Sequence, residues 1–409
     1  MKFHFAESWR RALVAAGLVL GLMSGAALAQ VGSAVPNINS LSSMGPGALA
    51  RIIETAVPME QLLDEMPRGT PMSEMQAMQL GVPSVSPGAV GPRERARRRM
   101  ADFGYPAWQR GAMQQSGEVE SFAYGSGNYN TIYHYNDYLQ VPFPVTYAPW
   151  RQVGRLLLSF DGGTTYGTCT AALISRAIIV TAGHCVLDNS ASSNGNNGYV
   201  TNATFVPAYT QGTQQRFGSC EVSYVVTTSG WAADNALRQG DDVAMGVCST
   251  LSGALWNVAN GRQPGVQLGW FGFCYNNCTR PYNFMTQLGY PANYYGGGLM
   301  TVSQHLEETA VSGGPDYIYG TGMRGGSSGG PHIQNIGWIN DSSSFLGFNR
   351  TRNVIMAVTS WGFTDQRIKI GGASPISGPN NSNNAAGLFN MACNQARALH
   401  GNASCPLLP

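Results

Sequence analysis

The sequence predicts an all-β protein, an antiparallel sandwich or barrel, and three observations carry that expectation. From Val145 onward, short apolar or alternating runs such as GRLLLSF, TCTAALIS, AIIVTAG, DVAMGVC, NFMTQLGY and VIMAVTSWG are separated by Gly/Asn/Ser turns. Strands of that length at that spacing build sandwiches and barrels. The composition agrees: 52 glycines with only 11% charged residues, against about 25% in an average soluble protein, describe a turn-rich chain of the exported type. Finally, one helical period stands at the end of this region, about 385–399, with Leu388, Met391, Ala392, Ala396 and Leu399 on one side.

Taken in order, the chain opens on Lys2, Arg10 and Arg11, then an apolar run from Ala12 to Leu22 and the small-residue site Ala27 to Ala29. That is the pattern of a cleaved export signal over 1–29. The apolar run is shorter than the ~20 residues that span a bilayer. The protein is therefore expected to be secreted or periplasmic, with no membrane association after cleavage. Residues 30–144 read as a propeptide or an N-terminal extension. Up to Met100 they are rich in Pro, Met, Ala and Gly, with helical pieces such as GALARIIETAVPMEQLLDEM interrupted by proline. This part ends in RERARRRM, Arg93 to Met100, either a processing site or a solvated charged linker. Residues 101–144 are Tyr/Gly/Asn-rich and carry no readable element.

The net charge of +2, with no basic stripe, excludes a nucleic-acid partner. Eight cysteines, Cys169, Cys185, Cys220, Cys248, Cys274, Cys278, Cys393 and Cys405, allow 105 pairings, and an even count in an exported chain points to disulfides. Proximity suggests Cys220 with Cys248, Cys274 with Cys278, and Cys393 with Cys405. A zinc site would want paired knuckles, but only Cys274 and Cys278 are closely spaced, and no HExxH helix occurs. No metal or cofactor is expected. His134, His305, His332 and His400 read as structural or surface residues.

Three segments carry chemistry. AIIVTAGHC ends a strand of buried character on His184. QGDDVAMGVC places Asp242 directly before an apolar strand, where a carboxylate drawn toward the interior needs a partner, and an imidazole is a natural one. GMRGGSSGGPH sets Ser327 and Ser328 among glycines. A serine hydroxyl becomes a nucleophile when a neutral imidazole takes its proton, and a buried carboxylate holds that imidazole in the right tautomer. Glycines let a turn aim backbone N–H groups at a developing oxyanion. The order His184, Asp242, Ser is one of the known triad orders. GSSGG also fits the G-x-S-x-G elbow, but that motif wants a helix after the serine and a later histidine, whereas Pro331 follows here. The loop alone does not say which serine acts.

TCTAALISRAIIVTAGHC, GDDVAM, GGSSGGP and TSWG resemble the trypsin/chymotrypsin-like serine peptidases over about 148–362, and YAPWRQVGRLLLSF with LGYP looks closest to the bacterial glutamyl-endopeptidase-like branch. The resemblance implies two packed antiparallel β-barrels, about 145–255 and 256–384, within a protease domain over 145–409. It implies catalytic roles for His184, Asp242 and Ser328, an oxyanion hole from the amides of Gly326 and Ser328, and a disulfide between Cys169 and Cys185. Ser360, Trp361 and Gly362 would pair with an extended substrate. Asp241 is then a solvated neighbour. Three departures stand out. Ser327 replaces the usual acid of the activation ion pair, Gly183 replaces the more usual alanine before the histidine, and Gly322 stands where trypsin-like members hold a pocket acid. The strand before the WG segment, Ala357 to Ser360, also lacks the histidine of glutamyl-specific members. A neutral pocket near Gly322, Met323 and Thr359 would suit an apolar or aromatic residue. The function implied is a secreted, monomeric serine endopeptidase of polypeptide substrates, made as a zymogen. The contrasting class is a non-catalytic binding or adhesin-like β-barrel, against which an intact His/Asp/Ser set speaks.

Overall fold

The computed structural model describes residues 145, 148–189, 195–211, 217–234, 240–252, 263–276, 283–309, 316–336, 353–362, 369–376 and 385–405, with short pieces at 33–35, 51–52, 55–59, 84–85, 89–90 and 131–134. The expected export signal, the Arg93 to Met100 run and Cys278 lie outside the described residues.

Five short strands come from the N-terminal part: β1 (Ser33–Val35), β2 (Val57–Pro58), β3 (Ser84–Val85), β4 (Ala89–Val90) and β5 (Thr131–His134). The first barrel is built from β6 (Val153–Ser159), β7 (Gly167–Leu173), β8 (Ile178–Thr181), β9 (Asn202–Pro207), β10 (Ser219–Thr227) and β11 (Ala244–Ser252). Antiparallel ladders run β9–β6–β7–β8–β11–β10, and the circle returns from β10 to β9 through the pairs Cys220↔Phe205 and Glu221↔Thr204. After β12 (Gly269–Trp270) and β13 (Gly272–Asn276), the second barrel comprises β14 (Asn283–Gly289), β15 (Thr301–Thr309), β16 (Tyr317–Gly320), β17 (Pro331–Gln334), β18 (Val354–Gly362) and β19 (Ile370–Pro375). Its ladders run β17–β14–β15–β16–β19–β18 and close by the β17–β18 pairing. Curling each sheet on itself leaves few open edges. The small side chains of GTCTAAL on β7, all buried, suit strands packed on both faces.

The N-terminal strands add to these barrels. β1 pairs β10, β2 runs parallel to β7, β3 pairs β13, β4 pairs β12 and β5 pairs β15. The helical pattern read across residues 47–66 gives way to a strand at Val57–Pro58, where Pro58 lacks an N–H and a one-sided pairing suits it. Met59, the next residue, is fully buried among the core side chains of the first barrel. Truncating a buried methionine costs about 2–5 kcal/mol. Met59→Ala should therefore lower the midpoint of thermal unfolding followed by circular dichroism, although Met59 lies some 125 residues before His184 in the chain.

Helices are few: α1 (Ser229–Asp234), α2 (Pro264–Leu268) and α3 (Ala385–His400). α3 buries Leu388, Phe389, Ala392, Cys393 and Ala396, while Leu399, read as part of the apolar side, is 43% exposed. The correction follows from docking: His400 shares a 2.6 Å hydrogen bond between its Nε2 and the Cys248 carbonyl, which rolls Leu399 outward. Disulfides join Cys169 to Cys185, Cys220 to Cys248 and Cys393 to Cys405, and Cys274 is also disulfide-bonded. Among the described residues no helix is long and apolar enough to cross a membrane.

Candidate active site

β8 ends at Thr181, and the chain turns through Ala182 and Gly183 to present His184. A Cβ on Gly183 would lie 2.8 Å from the Trp231 ring and 2.9 Å from Thr227 Oγ1, so the indole occupies the room that an alanine would need. The Cys169–Cys185 disulfide ties the turn back to β7. Asp242, directly before β11, is fully buried. Its Oδ1 accepts the backbone N–H of His184 at 2.7 Å, and its Oδ2 lies 2.7 Å from His184 Nδ1. The Ser360 hydroxyl, from β18 of the other barrel, donates to the same Oδ2 at 2.5 Å. Two fixed donors on Asp242 leave Nδ1 of His184 as the proton-bearing nitrogen.

Asp241 is not the solvated neighbour expected from the sequence. It is 3% exposed, its carbonyl accepts the Thr228 hydroxyl, and its carboxylate lies over Gly230, where a Cβ would meet Oδ2 at 2.1 Å. The start of α1 has closed over it.

The loop carrying Ser327 and Ser328 is held against the first barrel. The Ser328 carbonyl accepts from the Thr170 N–H at 2.7 Å, and the Thr170 hydroxyl donates to the Gly326 carbonyl at 2.8 Å. Gly329, at φ +77°, presses on the end of β8: a Cβ there would lie 2.0 Å from Thr181 Oγ1 and 2.8 Å from the Ala182 nitrogen. The loop thus abuts the strand that delivers His184. Gly326, at φ +91°, has no room for a side chain beside the Tyr290 carbonyl. The two serines differ: the Ser327 hydroxyl donates to the Arg324 carbonyl within its own loop at 2.8 Å. The amides of Ser327, Gly329 and Gly330 are bonded to the carbonyls of Arg324, Thr359 and Ser327.

The expected substrate-binding residues surround this loop. Gly322 accepts from the Asn293 side chain, which also accepts the Arg324 N–H, so Asn293 staples the segment before the serines. Met323 is buried and its N–H donates to Thr321 Oγ1. The Thr321 hydroxyl donates to Gln287 Oε1, and Gln287 Nε2 donates to Thr359 Oγ1 at 2.8 Å. The side chains of Thr321, Gln287 and Thr359 are uncharged, whereas Arg324 reaches Gly362, with Nη1 3.8 Å from where a Cβ would stand. Behind Thr359 lie His332, His305 and Glu307, all fully buried, so these histidines are not isolated surface groups. Burial pushes His305 down to about 4 and His332 down to about 3, and raises Glu307.

Asp316 escaped notice in the sequence, although it carries the signal that marked Asp242, an acid directly before a strand. Its Oδ2 accepts from Trp361 Nε1 at 3.0 Å and its Oδ1 from the Ser374 hydroxyl at 3.2 Å. Adjacent residues of β18 are therefore pinned by two carboxylates, Ser360 by Asp242 and Trp361 by Asp316. Burial above all, with the charges of Asp242 and Asp241 adding to it, pushes Asp316 up to about 8. The folded state then holds a proton on Asp316 between about pH 4, where the unfolded chain releases it, and pH 8. The contribution to stability is complete below this window and is lost as pH rises through it, with a limiting slope of about 1.4 kcal/mol per pH unit. Asp316→Asn should flatten the fall of the unfolding midpoint between pH 5 and pH 8 while keeping an acceptor for Trp361.

Two barrels with a His–Asp pair from the first and a glycine-bound serine loop from the second define the chymotrypsin-like class. Residues 151–255 match the Trypsin family model. Glutamyl endopeptidase from Bacillus licheniformis is 27% identical over 168 residues, 41% of this chain and 46% of that protein, so the chain spans less than half of that relative. Similar solved structures include the protease Anisep from Arthrobacter nicotinovorans (20% identity, TM-score 0.42, 59% of this chain and 95% of that one). A Glu endopeptidase is also similar (17% identity, TM-score 0.40, 61% and 92%). Residues 151–255 thus resemble the Trypsin family, and the two barrels have the chymotrypsin-like arrangement.

Proposed function

We propose that this chain is an exported serine endopeptidase that cleaves polypeptides through an acyl-enzyme. The observation that carries the reading is Asp242, which orients His184 by two hydrogen bonds and ties it to the substrate-pairing strand through Ser360. In the mechanism, Nε2 of His184 takes the proton of the Ser328 hydroxyl as its oxygen attacks the scissile carbonyl. The imidazolium formed is stabilised by Asp242, and His184 then gives the proton to the leaving amine. The amides of Gly326 and Ser328 receive the oxyanion. Water repeats the sequence to release the acid. An extended substrate pairs with Ser360, Trp361 and Gly362.

The uncharged floor of Thr321, Gln287 and Thr359 beside Met323 favours an apolar or aromatic residue ahead of the cleaved bond, and Arg324 disfavours Lys and Arg there. A peptide-library profile dominated by acidic residues would transfer recognition to Arg324. The protease domain is assigned to 145–409, and export to the segment 1–29. Residues 30–144 act as an extension or propeptide, and the burial of Met59 supports retention of the piece around it. The decisive test is labelling of the purified protein by a fluorophosphonate at pH 8, with peptide mass mapping. An adduct on Ser328 is expected; no adduct, even after limited proteolysis at Arg97 to Arg99, would favour a non-catalytic binding protein.

A further inference from the structure

Inside the second barrel, away from the serine loop, His305 and Glu307 stand two apart on β15 and face His332 of β17. Strand periodicity puts positions i and i+2 on one face. Three atoms converge there: His332 Nδ1 lies 2.5 Å from Glu307 Oε1 and 3.2 Å from His305 Nε2, which is 3.4 Å from Glu307 Oε1. The other carboxylate oxygen, Oε2, is buried and has no hydrogen-bond partner.

The hydrogen-bond chain through Thr321, Gln287 and Thr359 accommodates His332 with its proton on Nε2. Met323 N–H occupies Thr321 Oγ1, so the Thr321 proton goes to Gln287 Oε1, which turns Gln287 Nε2 toward Thr359. The Thr359 hydroxyl donates to the Gly330 carbonyl. With its proton there, the oxygen accepts from His332 at 3.1 Å, and this arrangement places the His332 proton on Nε2. Nδ1 therefore presents a lone pair to a carboxylate oxygen and to the ring nitrogen of His305. A positive centre must lie between them.

A shared proton serves one of the three contacts and leaves the others without a proton of their own. A cation serves all three at once. The three distances leave room, on either side of the plane of the atoms, for a point about 2 Å from each, the length of zinc bonds to nitrogen and oxygen. Oε2 supplies a fourth donor from the same carboxylate. Thr359 is the outer partner that a metal-bound imidazole normally has. We infer that His305, Glu307 and His332 form a buried site for a divalent transition metal of the zinc class, which clamps β15 to β17 four residues beyond Ser328.

Because the site is closed, the metal enters during folding. The full-length chain carrying Ser328→Ala, which prevents autolysis, would be refolded with Zn2+ or with EDTA, desalted, and assayed for metal by plasma mass spectrometry. About one zinc per chain and a higher unfolding midpoint after the zinc refold are expected. A Co2+ refold should show the visible bands of tetrahedral cobalt. Glu307→Gln and His305→Gln should each lower the metal content at least tenfold. Less than a tenth of a zinc per chain with unchanged stability in the parent protein would overturn the site in favour of a shared proton. Undiminished metal in folded Glu307→Gln and His305→Gln would overturn it as well. Should both variants fail to fold, the comparison of the two parent refolds decides. None of these readouts depends on peptidase activity.

Discussion

Ser328→Ala is expected to lower kcat for a peptide substrate by about 10⁶-fold, the scale on which removing the nucleophile disables a triad acting as a unit, while the unfolding midpoint stays within a few degrees. Ser327→Ala, by contrast, loses only the hydrogen bond from its hydroxyl to the Arg324 carbonyl, worth about 1 kcal/mol, and changes the rate less than about tenfold. The pair of variants separates two serines that the sequence leaves equivalent. Steady-state kinetics checks both, and equal losses in the two variants would mean that the loop, and not one hydroxyl, had been disturbed.

Asp242→Asn is expected to lower kcat about 10⁴-fold near neutral pH with the backbone unmoved. The backbone N–H of His184 can only donate, so the new amide must turn its oxygen to that group and its NH₂ toward His184 Nδ1. That nitrogen must then accept, which moves the ring proton to Nε2 and removes the lone pair that serves as base. The Ser360 hydroxyl, which donates to Oδ2, must rotate to accept. Ser360→Ala removes this tie alone and should cost far less. Measuring kcat for both variants, with thermal unfolding as a control, tells a tautomer effect from a packing effect.

The site was partly legible because its chemistry is local. An apolar run ending on a histidine, an acid directly before the next apolar strand, and glycines around a serine each occupy fewer than a dozen residues, and their order along the chain limits the arrangement. Ser360 was read for its backbone alone, because its hydroxyl finds Asp242 only when β18 and β11 meet across the barrels. Asp316 carried a readable signal but no visible partner, since Trp361 lies 45 residues on. Asp241 was misread because the exposure of a carboxylate depends on what closes over it, here Gly230 and the start of α1.

The sequence by itself pointed to the strand-rich architecture, the C-terminal helix, the triad candidates and, by proximity, the Cys220–Cys248 and Cys393–Cys405 disulfides, for alternation, turn residues and nearest-neighbour cysteines are properties of short segments. Tertiary structure alone decided that Met59 belongs to the first barrel, that Trp231 fills the space beside Gly183, and that His305, Glu307 and His332 meet in one buried cluster. Those contacts depend on barrel closure and strand register. β14 pairs both β15 and β17, and a slip of one residue in either strand would turn His305 and Glu307, or His332, to the opposite face of the sheet.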